Sequence, residues 1–536
     1  MRAAVTLLRF RLRRERVMLP LWILGCVGLL FAAGGAVAAE FGDEAERTGL
    51  IALAVANPAF LFLRGVPDGT SVGSLVFFQT FSFLAVLVAF MNTFLVVRHT
   101  RADEERGRAE LLLAAPVPRW LDLTITLKVA AGANALVAIG CIAAGLTLDF
   151  GTAASVVVGL AVGCVGLAFA GIAALVAQAM PSPRGANGVA AALVGVAYLT
   201  RGIGDALGTP QGLDRVDPSW ISWLSPIGWG QATRPFSEPN VWPLLALLGL
   251  AVLTGGAAIL ARARRDLDSS LIPERRGRTG WPHASASALA VRLQRGTLLG
   301  WTIGTALLGA IAGALGPVVA EAIADNDQLA DLIARLSPGT ETDTAEVFII
   351  GLLGIAGVLA TAAGVQALSR LRVDEAEGRT ELLLSTPLTR TGLLVRQLAV
   401  AVATMLIVSL AAGLAAGLGS AAAFDDPGRV ADALAMTAVQ WPAGAIFLGL
   451  TALLFGLVPR ATIPLGWGLL VLGLVLGQLG DLLGLPSWAR DLSPFAHVPA
   501  VPIEEADPVA IAVMLAVAAA SAAVGFVALR RRDVPA

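Results

Sequence analysis

Long apolar blocks separated by short polar stretches set the pattern of this chain. Six lie near 17–39, 72–97, 122–148, 152–180, 188–207 and 241–261. Six more lie near 298–322, 346–369, 394–418, 431–458, 463–484 and 508–529. A helix rising ~1.5 Å per residue crosses a ~30 Å hydrocarbon core in about 20 residues, and each block is long enough. No alternating β pattern runs through them, so only a helix can satisfy their backbone inside lipid. The pattern predicts an all-α polytopic membrane protein with about twelve transmembrane helices in two sets of six. The first block, Val17–Ala39, follows an arginine-rich lead and ends in "AVAA", as a signal peptide would. As a helix it rises roughly 35 Å, whereas the apolar core of a signal peptide has about 7–15 residues, so an uncleaved first span is expected.

Composition agrees with lipid as the solvent. Hydrophobic residues make up 56% of 536, mean hydropathy is +0.77, and 14% of residues are charged. Soluble domains run near a quarter charged. Net charge is −1, which gives no basic field for nucleic acid. Cys26, Cys141 and Cys164 sit inside apolar blocks without paired spacing, which reads as three buried thiols rather than disulfides or ligands. His99, His283 and His497 are too scattered for a metal site.

Arginine sets the orientation. Arg9, Arg11, Arg13, Arg14 and Arg16 precede the first block, and Arg98, Arg101, Arg106, Arg108 and Arg119 follow the second. Arg184, "RARR" from Arg262, Arg460 and the closing "RRR" from Arg530 fall in further alternate loops. The positive-inside bias then places both termini in the cytoplasm, which suits an even number of spans.

The two sets read as copies. "RERVMLPLW" from Arg14 answers "QRGTLLGW" from Gln294, "IGDALG" from Ile203 answers "LGDLLG" from Leu479, and "PSWISWLSP" from Pro218 answers "PSWARDLSP" from Pro486. With six helices per copy, each landmark keeps its side of the membrane, as in a parallel duplication. The expected organisation is a first half over 1–265, a polar linker over 266–283 and a second half over 284–536.

The closest match between the copies is a charged segment after the second span, over 100–119 and 371–390. "DEERGRAELLLAAPVPR" begins at Asp103 and "DEAEGRTELLLSTPLTR" at Asp374. The aligned positions keep Arg101 and Arg372, Asp103 and Asp374, Glu104 and Glu375, Gly107 and Gly378. They also keep Arg108 and Arg379, Glu110 and Glu381, Pro116 and Pro387, and Arg119 and Arg390. Glycine should loosen the helix, E-L-L-L form a short amphipathic turn, and proline stop it before the third span. A solvated loop needs only charges and leucines. Glycine, proline and alternating charge held in register point instead to a docking surface, whose partner constrains both shape and charge.

The pattern E-x-G-R-x-E-L-L-L-x-x-P-x-x-R resembles the cytoplasmic coupling segment of ABC-2-type exporter permeases, above all the fused two-half permeases related to tetronasin-like antibiotic exporters. The resemblance extends over the whole chain, including the arginine-rich lead helix and "LSPIGWGQATRPF" from Leu224 before the sixth span. The second half departs from it there, reading "LSPFAHVPAVP" from Leu492. The resemblance implies a permease without its own ATPase, in a bacterial cell membrane, that docks two copies of a separate nucleotide-binding subunit. ATP and magnesium would be held by that partner, and an amphipathic or apolar compound exported. Lys128 is the only lysine, and no G-x-x-x-x-G-K-[ST] surrounds it, in keeping with ATP hydrolysis elsewhere.

The alternative is an ion-coupled secondary drug transporter with six-plus-six parallel repeats. Its loop motif is only partly mimicked, since His99 stands where glycine is needed and "DEAEGR" lacks an arginine. Carriers of that kind tend to hold ionisable groups at mid-membrane. Here Lys128 and Arg396 lie near cytoplasmic ends, and Arg201, Asp205 and Asp481 near outer ends. Arg201 and Asp205, four apart, are placed to pair. A membrane enzyme would need a clustered nucleophile, metal or acid–base set, and none is visible. In the second span Phe77, Phe78, Gln79, Phe81 and Asn92 are candidates to line a substrate path, although packing accounts for most membrane phenylalanines. Loops 208–240 and 485–507 hold Trp220, Trp223, Trp229 and Trp488 among prolines and are expected to cap the outer leaflet, with indoles at headgroup level.

Overall fold

The computed structural model describes residues 2–41, 43–56, 58–114, 117–212, 214–267, 269–272, 286–324, 344–478, 486–502, 504 and 506–532. Pro116, His283, Asp481 and the linker from 273 onward lie outside the described residues. Among those described, twelve helices are long and apolar enough to cross a membrane. The chain divides into two units, Met1–Gly277 and Arg278–Ala536, each holding six of the twelve. The protein is an all-α polytopic membrane protein, and among the described residues its strands are one two-residue pair, β1 (Thr209–Pro210) with β2 (Val216–Asp217).

The first unit runs through α1 (Arg2–Arg14), α2 (Met18–Glu40), α3 (Glu44–Ala56), α4 (Pro58–Arg64), α5 (Val72–Arg98), α6 (Arg101–Glu105) and α7 (Arg108–Leu113). It continues through α8 (Leu121–Thr147), α9 (Thr152–Ala179), α10 (Pro183–Ala206), α11 (Pro226–Gln231) and α12 (Trp242–Arg264). Helix α9 is the centre of the unit and packs on α5, α8 and α12. Its small residues permit that approach: a Cβ at Gly166 would collide with the Asn134 side chain of α8. Where α8 meets α5, Asn92 and Asn134 exchange amide hydrogen bonds of 3.1 and 2.9 Å, and each also donates back to its own helix, at Val88 O and Ala130 O. All four bonds close within the bundle, the arrangement a buried amide needs in an apolar interior.

The second unit contains α13 (Ala286–Ala324), α14 (Thr344–Ala376), α15 (Arg379–Leu384), α16 (Arg390–Phe424) and α17 (Arg429–Ala438). It ends with α18 (Trp441–Leu457), α19 (Thr462–Gly477), α20 (Ser487–Arg490) and α21 (Pro508–Arg531). Helix α13 lies along α16, and α18 along α21, while α14 packs on both α16 and α18.

Helix starts follow local chemistry. Ser71, Ser182, Thr389 and Asp507 each cap a long helix with a side-chain oxygen, and Pro183 and Pro508 follow two of them at the first helical position. Arg262 and Arg264 lie in the last turn of α12, Arg530 and Arg531 in that of α21, where cations suit the helix dipole. Three departures from the sequence pattern matter. The lead helix α1 is separated from α2 by a turn at Glu15–Val17, whereas the corresponding stretch of the second unit is continuous within α13. The second span of the first unit ends at Arg98, as expected, while α14 runs unbroken from Thr344 to Ala376, past the expected end near 369. The predicted span 431–458 is two helices, α17 and α18, parted at Val439–Gln440 just before Pro442.

Candidate functional site

The repeated segment folds the same way in both units. Gly107 (φ 66°) and Gly378 (φ 71°) occupy the left-handed region, and each begins a one-and-a-half-turn helix, α7 or α15. The glycine is therefore a fixed elbow rather than the loosened helix expected from sequence, since an L side chain pays about 1–2 kcal/mol in this conformation. Beyond the elbow, Leu111 is 78% exposed and Leu382 73%. Beside them Glu110 and Glu381 are exposed, and their side chains make no hydrogen bond or ion pair among the described residues. Each unit thus presents the same exposed Glu-Leu pair on a rigidly turned helix.

The other acids of the segment face inward. Glu104 is buried and receives Arg101 at 2.6 Å, Arg262 at 2.9 Å and Arg265 at 2.5 Å. Arg265 is the C-cap of α12, so the segment is tied to the end of the sixth span. The second unit repeats this: Arg532, the C-cap of α21, reaches Glu375 at 2.7 Å, with Arg372 at 3.9 Å. Arg265 and Arg532 even share backbone geometry, at φ −86°, ψ 139° and φ −87°, ψ 135°. Across the elbow, Arg108 reaches Asp103 at 3.4 Å, and Arg379 reaches Asp374 at 2.6 Å. Arg119 and Arg390 make a further link to the chain just past the sixth span, to the Asp266 carboxylate at 3.0 Å and to the Arg532 carbonyl at 2.7 Å. In the first unit that chain doubles back. Leu271 and Ile272 donate to Gln178 O and Ala179 O at the end of α9, and Arg101 donates to Ala177 O and Ser269 O. The last carbonyls of α9, which a helix leaves unpaired, are thereby satisfied.

The first unit adds an inner layer of charge. Arg11 of α1 is buried against Asp122 of α8 and donates to His99 O at 3.3 Å. Arg14 grips both oxygens of Asp103 at 2.8 Å. Glu15 accepts from Arg98 at 3.1 Å and pairs with His99 at 2.8 Å. Burial alone would raise the Glu15 carboxyl. The His99 hydrogen bond and the Arg98 charge outweigh it and hold the group below the ordinary glutamate value. Burial pulls the Arg11 guanidinium down, against the attraction of Asp122.

The opposite end of the first unit is closed by a second polar knot. Arg201 and Asp205 of α10 pair at 3.1 Å, fully buried. Arg201 also donates to Phe62 O at 2.9 Å, and Tyr198 Oη donates to Leu63 O at 2.6 Å, so the C-terminal carbonyls of α4 are capped from α10. Ser222 donates to Asp205 at 2.6 Å. Asp68 accepts from Phe236 N and Ser237, and burial still pushes its carboxyl above the usual range. The Ser-Pro corner of both copies is reused: Ser225 donates to Ala197 O at 2.6 Å and Ser493 to Gly473 O at 2.7 Å. Trp220, Trp223 and Trp488 are exposed.

Of the residues considered for a substrate path, Phe77, Phe78, Phe81 and Asn92 are buried inside the first unit and Gln79 is half-buried. Phe77 lies tilted against Phe81 with ring centroids 4.6 Å apart and meets Phe236 at 6.1 Å, while Asn92 is held by Asn134. Sequence reading missed Asn134, Glu15, Asp122, Arg262, Arg265 and Arg532 as partners. The only advance signal was the run of basic residues ending each sixth block.

Known proteins match this chain in sequence along nearly its whole length. The family model described as multidrug efflux system permease Rv1217c, C-terminal domain, matches residues 6–261 and 284–530. The chain is also 37% identical over 533 residues to the multidrug efflux system permease protein Rv1217c of Mycobacterium tuberculosis (strain ATCC 25618 / H37Rv), covering 98% of this chain and 94% of that one. With twelve apolar helices and a match along nearly its full length, this multi-pass membrane protein belongs to the family of the multidrug efflux system permease Rv1217c.

Proposed function

We propose that the chain is the membrane subunit of an ATP-driven, ABC-2-type exporter that moves amphipathic or apolar compounds out of the cytoplasm or the inner leaflet. ATP and magnesium belong to two copies of a separate ATPase, which dock on the two repeated segments. The arginine-rich end of each unit, with both termini, faces the cytoplasm. The observation that carries the reading is the exposed, unpartnered Glu110-Leu111 and Glu381-Leu382 at equivalent places in two diverged copies. Every other aligned acid of the segment is neutralised within its own unit. The multidrug efflux role in the name of the mycobacterial relative supports the cargo class.

The internal ion pairs refine the mechanism. From the sequence, the segment would move the second and third spans. Through Arg262, Arg265 and Arg532 it also grips the end of the sixth, so a push on α7 or α15 is delivered to both flanks of the unit. Salt-bridged arginines and a fixed glycine elbow make that link stiff. Inverted membrane vesicles test the reading. Uptake of a fluorescent amphipathic dye should require ATP and the partner ATPase, and should persist when an uncoupler collapses the proton gradient. Transport that stops with the gradient while ATP remains would favour the ion-coupled carrier.

A further inference from the structure

The inner charged layer of the first unit has no counterpart in the second. With Arg16 aligned to Arg295, Arg11 falls on Ala290 and Glu15 on Gln294. In the register of the repeated segment, Asp122 falls on Leu393 and Ile125 on Arg396. Where the first unit is filled by a buried arginine–aspartate pair, the second has an alanine and a leucine. Both line a small cavity beneath α15. Next to it, a groove of about 320 Å³ opens sideways between α13 and α16, lined by Val291, Leu298, Val395, Ala399, Val400 and Ile407. Gln294 and Arg396 belong to both spaces.

These two polar residues are donors without acceptors. Gln294 is 5% exposed, and its amide nitrogen has no hydrogen-bond partner. The Arg396 side chain makes no hydrogen bond or ion pair among the described residues. The nearby carboxylate, Asp374, is already held by Arg379 at 2.6 Å and approached by Arg370 at 3.7 Å. Snorkelling to water would satisfy Arg396 by itself. It does nothing for Gln294, which is buried and still needs an oxygen. Arg396 lies six residues into α16, about 9 Å from its start, which is headgroup depth for a helix that begins at the membrane surface.

We propose that this cleft binds one anionic phospholipid, its phosphate on Arg396 and Gln294 and an acyl chain along the apolar groove. A guanidinium and an amide donor together match phosphate oxygens, and basic pockets between transmembrane helices are known sites for such headgroups. A zwitterionic lipid fits less well, because its ammonium would bring a second cation to an uncompensated one. The first unit, whose equivalent space is filled by Arg11 and Asp122, holds no such lipid there. The site lies in one unit and is independent of whether ATPases dock on the segments.

Native mass spectrometry of the full chain, after exchange into mixed micelles, tests this with palmitoyl-oleoyl phosphatidylglycerol against the phosphatidylcholine of the same chains. The wild type should retain one phosphatidylglycerol with at least about tenfold preference, the worth of one charge-assisted hydrogen bond. Arg396→Ala should lower retention to the phosphatidylcholine level. Ala399→Trp, which fills the groove and leaves the arginine, should do the same. Arg460→Ala, an exposed arginine outside the groove, should bind as the wild type does. Excess inorganic phosphate should fail to displace the lipid. Equal retention of the two lipids, wild-type retention by Arg396→Ala, equal loss in Arg460→Ala or displacement by inorganic phosphate would each overturn the proposal. Arg396 is exposed, so its variant should melt with the wild type in phosphatidylcholine alone.

Discussion

The two copies of the repeated segment share an outer frame and differ in what lies behind it. Both have the glycine elbow, the exposed Glu-Leu pair and a C-cap arginine gripping an internal glutamate. Behind the frame, the first unit packs Arg11, Arg14, Glu15, His99 and Asp122 into a closed ionic layer, where the second has a cleft. Under the proposed function, what both copies keep would serve a task common to them, contact with a partner and transmission of force. What the second copy lacks is the ionic layer, and the space in its place has the shape and donors for a ligand. A single segment could not have separated these roles.

The strongest test of the shared frame is to remove its internal glutamate in each copy. Glu104→Gln strands three buried arginines, and losing one side of a buried ionic cluster costs about 3–5 kcal/mol. Glu375→Gln faces Arg532 and Arg372, both partly exposed, and should cost only ~1–2 kcal/mol. Melting curves in detergent should show a large loss for the first and a small one for the second. Equal losses would mean that burial of the clamp does not distinguish the copies.

The next effect concerns the layer that differs. Arg11→Ala leaves Asp122 buried and unpaired and should cost about 3 kcal/mol. Adding Asp122→Leu converts the site to the Ala290–Leu393 pair of the second unit and should recover most of that loss, since apolar replacement of a buried ion pair is often near neutral. A double variant as unstable as the single would show that the ionic layer does more than fill space.

Much of this was legible in the sequence, and the reason is periodicity. Twelve apolar blocks predicted twelve helices, because in lipid the backbone leaves no other choice. Arg201 and Asp205 were legible as a pair because their spacing is local. The clamp was not. Glu104 and Arg265 are brought together because the second and sixth spans both pack on α9, and nothing in either stretch names the other. The basic run ending the sixth block was read only for membrane orientation. Asn92 was visible as a polar interruption, but its role as half of an amide pair with Asn134 depends on the register of α5 against α8. The glycines were visible too. Their left-handed geometry was not, because a helix-loosening glycine and an elbow glycine look alike in one sequence.

A smaller effect tests the elbow. Gly107→Ala and Gly378→Ala each force a side chain into the left-handed region at about 1–2 kcal/mol, with no neighbouring atom in the way. Both variants should insert and bind the ATPase, yet show lower dye export per ATP hydrolysed, and by similar amounts. A deficit confined to one copy would show that only that segment transmits force.

The central claim is that the exposed Glu-Leu pairs are where the ATPase docks, and co-purification measures it directly. With the ATPase co-expressed and tagged, Glu110→Arg or Glu381→Arg alone should weaken recovery of the permease, since reversing one interface charge commonly costs a few kcal/mol. The double variant should be inserted in the membrane, stable to heating and absent from the ATPase eluate. Recovery of the double variant at the wild-type level, with full dye export, would contradict the account and make the segment an ordinary loop.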